Sequence, residues 1–253
     1  MLQSLSIVYP MYNEKDNIET AVHEALRVGA QMAQQIEVIV VDDASTDGCG
    51  DIADRLAREN PQVLVRHHKR NRKLGGALRT GFGAASHEWI LYMDSDLPIR
   101  MDDALQALPL TENADMVIAW RISRAESQRR EVMSWAYNRL IRWGFGLRVR
   151  DVNFAFKLFK RSFYQKIRLR SEGSFIDAEL LLEMRRAGAR IAELPMNYYP
   201  RVAGVSTLSS WSVVWKILEE IALYRTLNWL PRPVVSRFDS HRERRRLRAE
   251  RRR

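Results

Sequence analysis

The chain has 253 residues, 46% hydrophobic and 28% charged, with 12 Gly and 8 Pro, which supports one large folded domain or two small ones and excludes global disorder and collagen-like repeats. A single cysteine, Cys49, excludes an internal disulfide framework and a Cys-cluster zinc site, and it fits a reducing compartment. The net charge of +10 is uneven: residues 237–253 set nine Arg against three carboxylates, so the rest carries only +4, and this tail is expected to be disordered and to lie near phosphates.

Residues 5–9 (LSIVY) read as a first apolar strand, and 16–28 as a helix with Ile18, Val22, Ala25 and Leu26 on one face. A second buried strand follows at 36–41 (IEVIVV), a helix at 47–59 and a third strand at 63–66. Residues 74–86 form a Gly/Ala-rich helix able to pack close to a sheet, 89–93 (WILYM) a fourth strand and 116–119 a fifth. This alternation predicts a mostly parallel sheet covered on both faces, Rossmann-like in class. Beyond it, 133–143 read as helix, 153–159 (NFAFKLF) as strand, 175–187 as an amphipathic helix and 190–194 as strand. A long Trp-bearing helix at about 210–230 ends at Pro231. The expected organisation is one domain over 1–236 that includes this amphipathic helix, then the basic tail. No segment reads as a membrane span, and the N-terminus lacks the basic-then-apolar pattern of a signal peptide.

Open parallel sheets bind ligands beyond the carboxyl ends of their strands, and the polar residues gather there. Asp94-Ser95-Asp96 directly follows the fourth strand. Alternate residues of an extended segment point the same way, so both carboxylates can approach one Mg²⁺ or Mn²⁺ completed by nucleotide phosphates. An isolated triplet of this kind is more often an ordinary acidic loop; the other strand ends change the balance. Asp42 ends the second strand, where its carboxylate can accept from a base N–H or a ribose hydroxyl, while Ser45, Thr46 and Asp47 suit capping of the next helix. Pro10, Tyr12 and Glu14 follow the first strand, with Tyr12 offering a ring for stacking. Lys73, Gly75 and Gly76 open the third helix, where glycines permit close approach of backbone or phosphate and Lys73 adds charge. No GK[ST] or GxGxxG is present at these turns, which excludes a P-loop and takes the main support from a dinucleotide-binding reading. His67 and His68 read as solvated surface histidines.

Together, PMYNE, VVDDASTDG, KLGGALRTGF and MDSD resemble, in order and spacing, the inverting family 2 glycosyltransferases with the GT-A fold. DVNFAFKLFKR, SFIDAELLLEMRRAG, ELP and RVAGVSTL make the second half similar to the dolichyl- and polyprenyl-phosphate hexose synthases within them. The resemblance covers about residues 4–230. It implies a GT-A sheet, a nucleotide-sugar donor (GDP- or UDP-hexose), a polyprenyl phosphate acceptor and a divalent cation, Mg²⁺ or Mn²⁺. Position by position, it implies Pro10, Tyr12, Glu14, Val41 and Asp42 around the nucleoside, and Asp94 and Asp96 on the metal with Ser95 beside them. It implies Arg121, Arg130 and Arg201 on phosphates, with Ser206 on the acceptor side. The chain departs from the pattern at Pro98, where Gln is common, and at Thr207, where Lys is common.

A lipid phosphate arrives ionised, with a second pKa of about 6 by analogy with phosphorylated side chains, so alignment and charge balance outweigh base catalysis. Asp177 is the carboxylate that would serve as a base for a hydroxyl acceptor; its plainer role is complementing a helix N-terminus. The alternative reading is accordingly a soluble family 2 enzyme acting on a hydroxyl of a glycan, small molecule or protein. A nucleic-acid binder is disfavoured because carboxylates at three strand ends would repel a phosphate backbone. The Trp-bearing helix and Arg tail point to an anionic membrane surface, hence a peripheral protein on the cytosolic face. A separate membrane protein or a second copy of the chain is left open as a partner.

Overall fold

A computed structural model of the chain describes residues 1–122, 128–199, 219–222, 224 and 226, the side chains of 128–133 excepted. The chain divides into two compact units, Met1–Thr207 and Leu208–Arg253. In the first, β1 (Leu2–Met11), α1 (Ile18–Met32), β2 (Ala33–Asp42), α2 (Cys49–Glu59), β3 (Val63–His67), α3 (Lys73–Ala84) and β4 (Trp89–Met93) alternate as expected. A 3-10 segment (Met101–Glu112) precedes β5 (Met116–Arg121), α4 (Gln128–Phe145), β6 (Phe156–Lys160), α5 (Arg161–Tyr164), α6 (Ile176–Arg186) and β7 (Ile191–Met196). In the second unit, residues 219–222, 224 and 226 are helical; the rest of the helix expected at about 210–230, and the basic tail, lie outside the described residues.

The seven strands form one sheet in the order β3-β2-β1-β4-β6-β5-β7. All neighbours are parallel except at β6, which runs antiparallel to both β4 and β5. The strands are apolar on both sides because both faces are covered. On β1, Leu5, Ile7, Tyr9 and Met11 join Ile18, Val22 and Ala25 of α1 in the buried core. The alternate residue Val8 meets α3, where a Cβ on Gly81 would lie 2.3 Å from Val8 Cγ1 and 3.2 Å from Val41 Cγ2. On the same face, Phe82 packs edge-on against Tyr92, Phe159 and Tyr164.

Register sets the rim. Met11 is opposite Asp42 and Asp42 is opposite His67, so β1, β2 and β3 end level; Val8 is opposite Tyr92, so β4 ends two residues short and Asp94 follows beside the end of β1. The antiparallel β6 begins at this rim, with Phe156 opposite Met93, and β5 ends there with Arg121.

Candidate active site

Asp42 and Asp94 are two strands apart across β1, about 10 Å by ordinary strand spacing. Ser95 ties the ends together, its hydroxyl donating to the Pro10 carbonyl at 3.1 Å. Non-glycine residues take left-handed backbone immediately beyond three of these strands: Asn13 (φ 56°), Ala44 (φ 63°) and Leu97 (φ 52°). Such conformations cost roughly 1–2 kcal/mol per residue, and they turn the chain sharply beyond the strand ends.

Asp42 is buried. Its Oδ1 accepts from the Ser45 N–H at 2.9 Å and its Oδ2 lies 2.8 Å from His67 Nδ1. Burial pushes its pKa up, but the Ser45 and His67 hydrogen bonds outweigh that and hold it below 3.8. His67 Nε2 in turn meets Asp54 Oδ1 at 2.9 Å, and the hydrogen bonds to Asp54 and then Asp42 raise the imidazole pKa. Asp43 accepts from the Arg72 N–H at 2.7 Å and lies 2.6 Å from His68 Nδ1. The His68 side chain is only 6% exposed, and its Nε2 reaches Thr80 of α3. His68 is thus a buried anchor of the rim rather than a solvated surface group, whereas His67 is exposed as expected and still bonded to both carboxylates.

The loops after β1 and β2 are joined. Asn13 Oδ1 accepts from Thr46 N–H at 2.8 Å, Asn13 N–H donates to Ser45 Oγ, and Lys15 N–H donates to Asp47 Oδ2. Of the residues read as caps, Asp47 alone serves α2, accepting from Cys49 N–H; the α2 N-cap is Gly48. Tyr12 is exposed beside this junction, while Glu14 lies in the turn before α1, its carbonyl accepting from Asn17 and Ile18. Val41 is fully buried beside Asp42.

Lys73 is exposed at the start of α3. The neighbouring Gly75 is pressed against backbone: a Cβ there would lie 2.1 Å from the Ser171 carbonyl oxygen. The close approach permitted by Gly75 is therefore to residues 171–172, whose position Glu179 also fixes by accepting from the Arg170 and Ser171 N–H groups.

Arg121 ends β5 on the far side of β6. Its Nε donates to Asp151 Oδ2 at 2.8 Å, and it lies over the Phe154 and Tyr198 rings. Arg130 is in α4, with its side chain outside the described atoms, and Arg201 and Ser206 lie outside the described residues.

Residues 6–172 match the glycosyl transferase family 2 profile. The chain belongs to glycosyl transferase family 2. Over 207 residues it is 33% identical to glycosyltransferase AglD of Haloferax volcanii, covering 78% of this chain but only 33% of that relative. It is 29% identical to the undecaprenyl-phosphate mannosyltransferase of Micrococcus luteus, covering 80% of this chain and 86% of the relative. A solved structure of glucosyl-3-phosphoglycerate synthase from Mycobacterium tuberculosis, in complex with Mn²⁺, uridine diphosphate and glucosyl-3-phosphoglycerate, aligns with TM-score 0.67 and 20% identity. That alignment covers 87% of this chain and 80% of the other. The sheet, mostly parallel with one reversed strand, is of the GT-A type.

In this glycosyltransferase, Asp94 is half-buried and Asp96 is buried. The Tyr92 hydroxyl donates to Asp94 Oδ1 at 3.3 Å, and burial together with Asp177, Asp94 and Asp96 pushes the phenol pKa well up. Among the described residues no group of three or more His, Cys, Asp or Glu could hold a cation alone. Two hard carboxylates fit a Mg²⁺ or Mn²⁺ whose remaining positions are filled by diphosphate and water. Asp177 lies in the first turn of α6, the place its plainer role expects; it is buried there, and its Oδ1 accepts from Lys157 Nζ at 2.6 Å. Sequence reading missed this pair, although a lysine inside an apolar strand already calls for a buried counter-charge.

Proposed function

We propose that this family 2 glycosyltransferase moves a hexose from a nucleotide sugar to a polyprenyl phosphate, working peripherally at the cytosolic face of a membrane. The observation that carries the reading is the shared rim, where Asp42 and the Asp94/Asp96 pair flank the end of β1. Asp42, with pKa held low, stays an acceptor at neutral pH and suits a base N–H or ribose hydroxyl, with Pro10, Tyr12, Glu14 and Val41 around it. Asp94 and Asp96 would hold Mg²⁺ or Mn²⁺, which when bound stabilises charge on the departing nucleoside diphosphate.

The phosphate acceptor is supported by the near full-length likeness to an undecaprenyl-phosphate mannosyltransferase. It is also supported by the state of Asp177: a carboxylate buried and paired with Lys157 is poorly placed to collect a proton from a hydroxyl. An ionised phosphate needs no such base. Arg121, Arg130, Arg201 and Ser206 would align the acceptor and offset repulsion between it and the donor diphosphate, Arg121 with its charge partly balanced by Asp151. Lys73 would add charge at the entrance. The Arg-rich tail and the helix before it would face anionic lipid; among the described residues, no helix is long and apolar enough to cross a membrane.

The test is incorporation of radiolabelled hexose from GDP-mannose or UDP-glucose, with Mn²⁺, into polyprenyl phosphate. The expected product is an organic-extractable lipid whose label is released by mild acid. Label appearing solely on a water-soluble hydroxyl acceptor would overturn the reading.

A further inference from the structure

Behind the Asp94-Ser95-Asp96 loop, on the face of the sheet covered by α3, lies a continuous run of buried polar groups. Tyr92 on β4 is opposite Lys157 on β6, and both side chains are almost entirely buried. A lysine at such a position is costly unless its charge is matched. Here the Nζ donates to Asp177 at 2.6 Å and to the Phe154 carbonyl at 2.9 Å, and it lies 5.2 Å from the centre of the Tyr92 ring. The ring is further bounded by Phe82, packed edge-on at 6.1 Å. The phenol therefore has little freedom, and its hydroxyl points to Asp94 Oδ1.

We infer that Tyr92 is a positioning residue for Asp94, held in place by the Lys157–Asp177 pair. The inference rests on the reading of Asp94 and Asp96 as cation ligands. A carboxylate offers about four lone-pair positions, so one phenolic hydrogen bond fixes its rotamer and leaves acceptors for a metal. Outer groups that orient metal ligands in this way are typically worth about 10–100-fold in metal affinity or activity. At 3.3 Å the bond is long for O–H···O, which places the effect at the lower end of that range.

Lys157 and Asp177 act at one remove. Asp177 neutralises the lysine, and the lysine, seated against the ring, keeps the hydroxyl aimed at the loop. The fixed order is thus α6 to β6 to β4 to the site, with each link a contact between adjacent elements.

The experiment is Mn²⁺ binding to the full chain in the presence of GDP and, separately, UDP, followed by the spin-resonance signal of free Mn²⁺. Thermal unfolding is measured beside it. Tyr92→Phe keeps the ring and removes the hydroxyl; its Mn²⁺ dissociation constant should rise about tenfold while the unfolding midpoint stays near that of the wild type. Replacing the ion pair together, Lys157→Met with Asp177→Leu, avoids stranding a buried charge and should weaken Mn²⁺ binding too. Added to Tyr92→Phe, it should cause little further loss, since both changes act through the same hydroxyl. A Tyr92→Phe protein that binds Mn²⁺ within twofold of wild type, while Asp96→Asn loses binding, overturns the inference and leaves the metal site standing. If Asp96→Asn itself binds Mn²⁺ like the wild type, the cation-site reading fails and the inference with it.

Discussion

Asp42 is held by two unlike donors, a backbone N–H from Ser45 and the His67 ring, and the second of these titrates. His67 lies between Asp54 and Asp42, which raise its pKa above 6.5. Its stabilising contribution is complete below 6.5 and fades as pH rises through the raised folded-state value. Asp42, depressed below 3.8, contributes fully above 3.8 and loses that contribution as pH falls through its folded value. In urea unfolding, His67→Ala should therefore lag the wild type most near about pH 6, with the gap narrowing toward about pH 9; a gap that widens with pH would contradict the pairing. Asp96→Asn should cut metal-dependent sugar transfer on the order of 10²-fold or more, and undiminished turnover would remove Asp96 from the metal. At this scale the acidic strand ends were legible because each motif is contiguous and follows a strand. The partners His67–Asp54, His68–Thr80 and Lys157–Asp177 were not, because each joins residues from different elements and no local pattern marks the match.

The strands and helices around the site followed from apolar runs and helical spacing, and every expected element exists in the first unit within a few residues. Three features escaped, one of them the single-turn α5. The Met101–Glu112 segment has Pro109 inside it and no clean helical stripe. The reversal of β6 depends on connections through α4 that no residue pattern encodes. The glycines of α3 divide by what they touch. Gly75→Ala would drive a methyl into the Ser171 carbonyl and should cost about 1–3 kcal/mol. Gly83→Ala meets nothing within 4 Å and should stabilise by about 0.5 kcal/mol through helix propensity. Chemical denaturation of both variants checks the contrast; equal effects would mean that α3 does not sit against residues 171–172.

Across the whole molecule, positive charge is uneven: residues 237–253 set nine Arg against three carboxylates, while the rest carries only +4. Each Arg near an anionic leaflet contributes about 1 kcal/mol, less as salt rises. Deleting residues 237–253 should weaken sedimentation with phosphatidylserine vesicles and leave transfer to detergent-solubilised acceptor largely intact. Unchanged vesicle binding would count against the tail as an anchor. Composition and charge made this division visible, whereas the shared rim of the strand ends required the register of the sheet. The central claim, one cleft serving nucleoside and metal together, is tested most directly by anomalous diffraction from crystals grown with Mn²⁺ and the nucleoside diphosphate that the chain binds. The account predicts a manganese peak within coordination distance of Asp94 or Asp96 and the nucleoside beside Asp42. A peak away from both carboxylates, or a nucleoside bound at another edge of the sheet, would contradict it.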